Sequence, residues 1–278
     1  MNTAALPTFG AQLREWRQRR RLSQLDLAGE ADVSTRHLSF VETGRSMPSR
    51  EMVLRLADRL EVPLRERNRL LTAAGFAPMY GERRLDDPAL GAARAAVEQI
   101  LKAHDPFPAL AVDRHWNLLF HNQAAASLLQ MDIAPELLQP PINVLHVSLH
   151  PKGLAPRIAN LAQWRAHLFE RLQHQIQLTA DAALIALADE LASYPAPAHD
   201  GAAAFTPNAS FVVPLVLDTP LGRLSLISTM TVFGTPVEIT LSELALETFF
   251  PADAATAAAL TAALPAQVID ADFVRSRL

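Results

Sequence analysis

Apolar positions in the first 75 residues recur at helical spacing. Between Phe9 and Arg20, Leu13 and Trp16 share one face while Arg14, Arg17 and Arg20 line another. Ser23, followed three residues on by Asp26, has the form of a capping box and opens a second helix with Leu27 and Ala28 inward. Asp32-Val33 turns the chain, and Ser34 caps a third helix whose inward pair is Leu38 and Val41. Gly44 is placed to end that helix in a left-handed conformation. Pro48-Ser49 opens a fourth helix with Met52, Val53, Leu56, Ala57 and Leu60 inward, and a fifth runs from Leu64 to Ala74 and stops at Gly75. Two short helices joined by a tight turn and clasped by a third element form the helix-turn-helix plan.

The pattern then changes. The polar, turn-rich stretch from Pro78 to Asp87 reads as a linker, followed by a helix over Pro88–Ala103 with Ala92, Ala95, Ala96 and Ile100 inward. Ala109–Val112 and Trp116–Phe120 read as two strands about an Asp113-Arg114-His115 turn, and Asn122 opens a short Ala-rich helix. Leu154–Leu178 carries Ile158, Leu161, Trp164/Arg165, Leu168 and Leu172 as one stripe, and Asp181–Tyr194 is a second amphipathic helix. After a loop over Pro195–Gly201, Phe211–Leu217 and Leu224–Phe233 alternate as antiparallel strands. A third extended stretch is expected over Thr235–Phe249, and a closing helix over Asp253–Leu264. The fold class expected is therefore an all-α five-helix domain over residues 1–80, then an α+β domain over 81–278 with an antiparallel sheet and flanking helices.

Composition narrows the function classes. Half of the 278 residues are hydrophobic, enough for a substantial core, and the chain has no cysteine, which excludes disulfides and thiolate chemistry. No apolar run reaches the length of a membrane span and no signal-peptide pattern opens the sequence, so a soluble cytoplasmic protein is expected. The net charge of −4 argues at first against a polyanionic partner, but it divides into +5 over residues 1–84 and −9 over the rest. A basic front suits a phosphate backbone, although Arg-rich solvated helix faces would give the same count.

Motifs decide between these. Leu22-Ser23-Gln24, Leu27-Ala28, Val33-Ser34, Leu38-Ser39, Val41-Glu42-Thr43-Gly44-Arg45 and Pro48-Ser49 together resemble the Cro/repressor-like (XRE) DNA-binding family, with Asp32 standing where that family often has Gly. The resemblance implies that the third helix enters the major groove. Thr35, Arg36 and Phe40 then face base edges, Arg36 suiting a guanine and Thr35 or Phe40 a thymine methyl. Gln24 matches the family's phosphate-contacting Gln, Ser34, Ser39 and Arg45 are further phosphate candidates, and His37 suits either role. Arg17 and Arg19–Arg21 either approach phosphate or solvate the end of the first helix.

The strand–turn–strand that precedes Asn122 resembles the start of a PAS domain. Three runs resemble the MmyB-like regulators: Asn143-Val144-Leu145 with Leu149-His150-Pro151, Asn160-Leu161 with Trp164, and Phe233-Gly234-Thr235-Pro236 with Phe249-Phe250-Pro251-Ala252-Asp253. In that family the C-terminal part is a PAS-like ligand-binding domain, and His146 stands where its members usually have Arg. The resemblance implies a transcription regulator with double-stranded DNA as partner, a pseudo-palindromic operator, a homodimer, and a fatty acid or comparable apolar ligand. Candidate ligand residues are Trp116, Phe120, Trp164, Arg165, Phe169, Met230, Phe233, Phe249 and Phe250, many of which would serve equally as ordinary core. Phe249 and Phe250 are adjacent, so a strand can present only one of them to a given face. No catalytic residue, cofactor or metal site is assigned: the His146/His150 pair lacks a third ligand and is followed by Pro151, and no nucleophile, P-loop or dinucleotide motif occurs. The alternative is a DNA-binding protein whose second domain is an antitoxin-like protein-interaction module without a small ligand.

Overall fold

The structure is a computed structural model, and the description covers residues 7–195, 212–234 and 236–263. The predicted loop to Gly201, the start of the strand at Phe211, Thr235 and Leu264 lie wholly or partly outside those residues. By internal contacts the chain resolves into two units. One comprises Met1–Leu90, Gln173–Ile185 and Phe233–Glu243; the other comprises Gly91–Leu172, Ala186–Val232 and Leu244–Leu278.

In the first unit, α1 (Phe9–Arg19), α2 (Gln24–Glu30), α3 (Thr35–Glu42), α4 (Arg50–Arg59) and α5 (Leu64–Ala73) enclose one apolar core. Leu13, Leu27, Leu38, Leu56, Leu60 and Leu71 are fully buried there. The capping box is made as expected, with Ser23 Oγ accepting from the Asp26 N–H and the Asp26 carboxylate accepting from the Ser23 N–H. Asp32 takes φ +53 in the α2–α3 turn, the conformation a family glycine would supply, and Gly44 ends α3 at φ +72. Gly10 lets α1 touch the end of α3, since a Cβ there would lie 2.4 Å from the Glu42 carbonyl oxygen.

Arg17 does not line an outer face with Arg14. It is buried, its guanidinium paired with both oxygens of Glu42 at 2.7 and 3.0 Å and donating to the Leu22 carbonyl at 2.8 Å. Arg20 caps the end of α4 through the carbonyls of Leu60 and Glu61. These two arginines are struts, because the close packing of short helices leaves backbone carbonyls and one carboxylate to be satisfied inside.

The stretch after α5 is stitched down. Asn68 accepts from the N–H groups of Met79 and Tyr80 and donates to the Tyr80 carbonyl. Gly81 bridges Glu238, ahead of the short α11 (Ile239–Ser242), and Arg65 on α5 holds Glu243 in a bidentate pair at 2.8 and 2.9 Å as well as Glu82.

The second unit begins with α6 (Gly91–Ala103). Its inward residues are Val97 and Leu101, not the expected Ala92, Ala95 and Ile100, which are exposed. The larger side chains set the face where the alanines gave no discrimination. β1 (Ala109–Val112), β2 (Leu118–His121), β3 (Leu215–Thr219), β4 (Gly222–Val232) and β5 (Ala245–Pro251) form a fully antiparallel sheet in the order β2-β1-β5-β4-β3. Helices α7 (Gln123–Leu129), α8 (Val144–Leu149), α9 (Leu161–Thr179), α10 (Ala182–Ser193) and α12 (Ala254–Ala263) complete the chain. The five helices of the first unit and this sheet with flanking helices are the fold class expected. Three local expectations change. The extended stretch to Phe249 is broken by α11 before β5 starts, the long helix begins at Leu161 after a 3-10 turn at Ala155–Arg157, and Trp116 precedes its strand at φ +68. Leu221 sits in a two-residue hairpin turn between Thr219 and Gly222, the latter at φ +99.

Candidate DNA interface and sensor core

On α3, Leu38 and Val41 are buried while Arg36 is exposed and Phe40 half-buried. The Arg36 and Arg45 guanidinium groups lie over the Phe40 ring, at 5.4 and 6.0 Å from its centroid, and neither pairs with a carboxylate among the described residues. Two cations on one aromatic form an ordered basic surface that runs along α3 and onto the turn after it. Ser34 Oγ accepts from the His37 N–H, so it caps α3, and Thr35 and His37 are half-buried on the first turn. The Ser39 carbonyl accepts from the Thr43 hydroxyl. Gln24 donates one amide N–H to Glu42 at 2.7 Å, joining the Arg17–Glu42 pair and leaving its second N–H as a donor.

In the second unit, paired residues on neighbouring strands share a face. Leu110, Glu247 and Met230 are successive partners, with Phe249 on the same face; Ala111, Phe120, Leu246 and Phe250 lie on the other. Phe249 is 8% exposed and Phe250 44%, so the adjacent pair does divide between faces. The nine candidate ligand residues are therefore not one lining. Phe120 sits beneath Arg94, and Phe250 packs edge-on against His104. Arg165 covers Phe169 and donates to the carbonyls of Leu191, Ala192 and Tyr194, capping α10. Phe233 belongs to the first unit. Trp116 and Met230 do meet, around a residue absent from the candidates: Arg171 on α9, whose guanidinium lies 4.9 Å from the Trp116 ring centroid, contacts Met230 Sδ and pairs with Glu247 at 2.7 Å. Trp164, two turns earlier on α9, donates its indole N–H to Ser148 at 3.0 Å and lies tilted against the His167 ring. The imidazole of His167 is held below its ordinary value, first by burial and then by the nearby Arg171 charge.

His146, on α8, has its Nε2 3.4 Å from Glu190 and without a hydrogen bond among the described residues, while His150 accepts from the Lys152 N–H and packs edge-on against Tyr194. Burial and a hydrogen bond to Glu190 push the Tyr194 phenol up to about 12. A cavity of about 540 Å³ lies elsewhere, lined by Asp132, Lys152, Gly153, Pro156 and Arg157 among others, and by none of the nine candidates.

A profile of the MmyB-like transcription regulator ligand binding domain matches residues 93–263, and one of a helix-turn-helix domain matches residues 8–70. The chain belongs to the MmyB-like transcription regulators. A search of curated proteins returned no match. As an MmyB-like regulator it joins a DNA-binding helix-turn-helix domain to a ligand-binding domain, and α3 with its Arg36–Phe40–Arg45 surface belongs to the former. No described helix is long and apolar enough to cross a membrane. Arg171 and Glu247 had a signal in the sequence: Trp164, His167 and Arg171 recur at helical spacing, and Glu247 is a lone charge inside the apolar run Leu244–Phe250. A charge in such a run is either paired or functional.

Proposed function

We propose that the chain is a homodimeric, sequence-specific regulator that reads a pseudo-palindromic operator through α3 and senses a fatty acid or comparable apolar acid in its C-terminal domain. The observation that supports this most is the Arg36–Phe40–Arg45 surface on the outward side of a helix whose other side is closed into the core. Arg36 contributes a bidentate contact to guanine, Thr35 and Phe40 apolar contact to thymine, and Gln24, Ser34, Ser39, His37 and Arg45 the surrounding phosphate contacts. A dimer places two copies of α3 about one helical turn of DNA apart, ~34 Å. Ligand acts by binding one arrangement of the dimer better than another.

Fluorescence-anisotropy titration of operator DNA tests the reading. Arg36→Ala is expected to cost about 1–3 kcal/mol and to relax specificity at one base pair, while Gln24→Ala weakens all sequences alike. Unchanged operator affinity in Arg36→Ala overturns the recognition-helix assignment. Native mass spectrometry of the purified chain tests the second half: a co-purified lipid acid supports a sensor, and a chain consistently free of one favours the protein-interaction module.

A further inference from the structure

The sheet face bearing Glu247 and Met230 carries one charged assembly that the assigned domains do not explain. The Arg171 side chain is 18% exposed and that of Glu247 6%. A cation so placed has lost most of its water and is held by what surrounds it. Glu247 takes one N–H of Nη1, and the Trp116 ring supports the plane from below. On its remaining edge, the one partner of Nη2 among the described residues is the thioether of Met230, a weak acceptor. A guanidinium offers five N–H donors, so this one is fixed in position yet largely unspent.

The support is built at a conformational cost. Trp116 is a bulky residue at φ +68, a region that normally costs about 1–2 kcal/mol. The surrounding turn holds it there. The Trp116 N–H donates to the Asp113 carbonyl, its carbonyl accepts from the Val144 N–H, and the Asp113 carboxylate accepts from the N–H groups of His115 and Asn117. Asn143, which caps α8, also donates to the His115 carbonyl at 2.8 Å. Such strain is retained where a side chain must be aimed. Met230 is unbranched and 42% exposed, so its thioether can move aside from the guanidinium without breaking an ion pair.

We infer that Arg171 is the head-group receptor of the ligand-binding domain, taking the carboxylate of an amphiphilic acid on the guanidinium edge that Met230 faces. The inference rests on the reading of that domain as a sensor of such acids, and it names the residue that distinguishes an acid from a neutral molecule of the same length. Arg165 suits the role less, because three hydrogen bonds commit both of its terminal nitrogens to carbonyls at the end of α10. A carboxylate gains charge-assisted hydrogen bonds from a desolvated guanidinium that an alcohol cannot match.

Isothermal titration of the full chain with dodecanoate and with 1-dodecanol tests this. The wild-type chain is expected to bind the acid about tenfold or more tightly than the alcohol, a difference of one or two charge-assisted hydrogen bonds. The double variant Arg171→Met/Glu247→Met removes cation and partner together, leaving no orphan charge, and should bind both probes alike. Retained preference for the acid in that variant overturns the proposal. Met230→Glu, at a half-exposed position where folding is not at risk, keeps the proposal testable if the double variant fails to fold. It places a competing carboxylate on the same edge and should weaken dodecanoate about tenfold while shifting the alcohol by less than about twofold. Equal binding of dodecanoate to Met230→Glu and wild type overturns the assignment of that edge. Binding of neither probe to the wild-type chain overturns the sensor reading itself, and the receptor role with it.

Discussion

Glu42 shows how far one side chain can organise a small domain. Its carboxylate is nearly fully buried and takes hydrogen bonds from Arg17 on α1 and Gln24 on α2 while itself standing at the end of α3. The pair raises the Arg17 guanidinium above its ordinary value, through the hydrogen bond to Glu42 first, and the charge is satisfied only in this arrangement. Glu42→Ala leaves a buried arginine without its partner and is expected to cost about 3–5 kcal/mol, read as a lower urea midpoint with an unchanged slope. Glu42→Gln, which keeps the acceptor and the shape, should cost less. If the two variants unfold alike, the charge of Glu42 is not what matters. Operator binding should fall in Glu42→Ala without any change in relative specificity, because the network positions α3 and touches no base.

At the scale of elements, what was legible in the sequence depended on how local its cause is. Caps and turns are local, so the Ser23–Asp26 box, the left-handed Asp32 and the stop at Gly44 stand where the residues put them. The face of α6 is set by its neighbours, and a helix rich in alanine does not say which side is covered. The same holds for the ligand-binding domain: aromatic composition does not say which face a residue takes, and strand parity sends Phe120 and Phe250 to one face and Phe249 and Met230 to the other. Within α9, His167 gives the pH dependence its sign. Its imidazole titrates below the ordinary 6.5 in the folded chain because burial and Arg171 disfavour the cation. The unfolded chain therefore takes up the proton first, and stability falls as the pH drops from about 6.5 until the folded imidazole is protonated as well. His167→Gln should flatten the fall that sets in below about pH 6.5 in urea midpoints relative to wild type; an identical pH profile would remove His167 from the account.

Over the whole molecule, the same chain carries a basic front and an acidic remainder, and the connection between β4 and β5, a segment of the acidic part, is grouped with the basic front by its contacts. The two strands, neighbours in the sheet, belong to the sheet unit, but the segment Phe233–Glu243 between them belongs to the helix-turn-helix unit. It is fastened there by side chains and backbone together. Arg65 pairs with Glu243 and Glu82, Glu238 accepts from the N–H groups of Arg83 and Leu241, Ile239 donates to the Gly81 carbonyl at 2.8 Å, and Thr240 donates to the Arg83 carbonyl. Arg65 is largely enclosed, and its guanidinium is raised well above its ordinary value by the hydrogen bond to Glu243 first, so it holds this segment as a permanent cation. Arg65→Gln keeps a donor but loses the bidentate pair, and leaves Glu243 and Glu82 without their shared cation. Hydrogen exchange read on peptides covering 238–243 should then speed up by about tenfold or more, as a local opening would. Amides in the β4–β5 ladder, such as those around Met230 and Glu247, should exchange as in wild type. Acceleration in both regions would mean that Arg65 stabilises the chain globally; acceleration in neither would mean that the backbone bonds at Gly81 and Glu238 hold the segment without it.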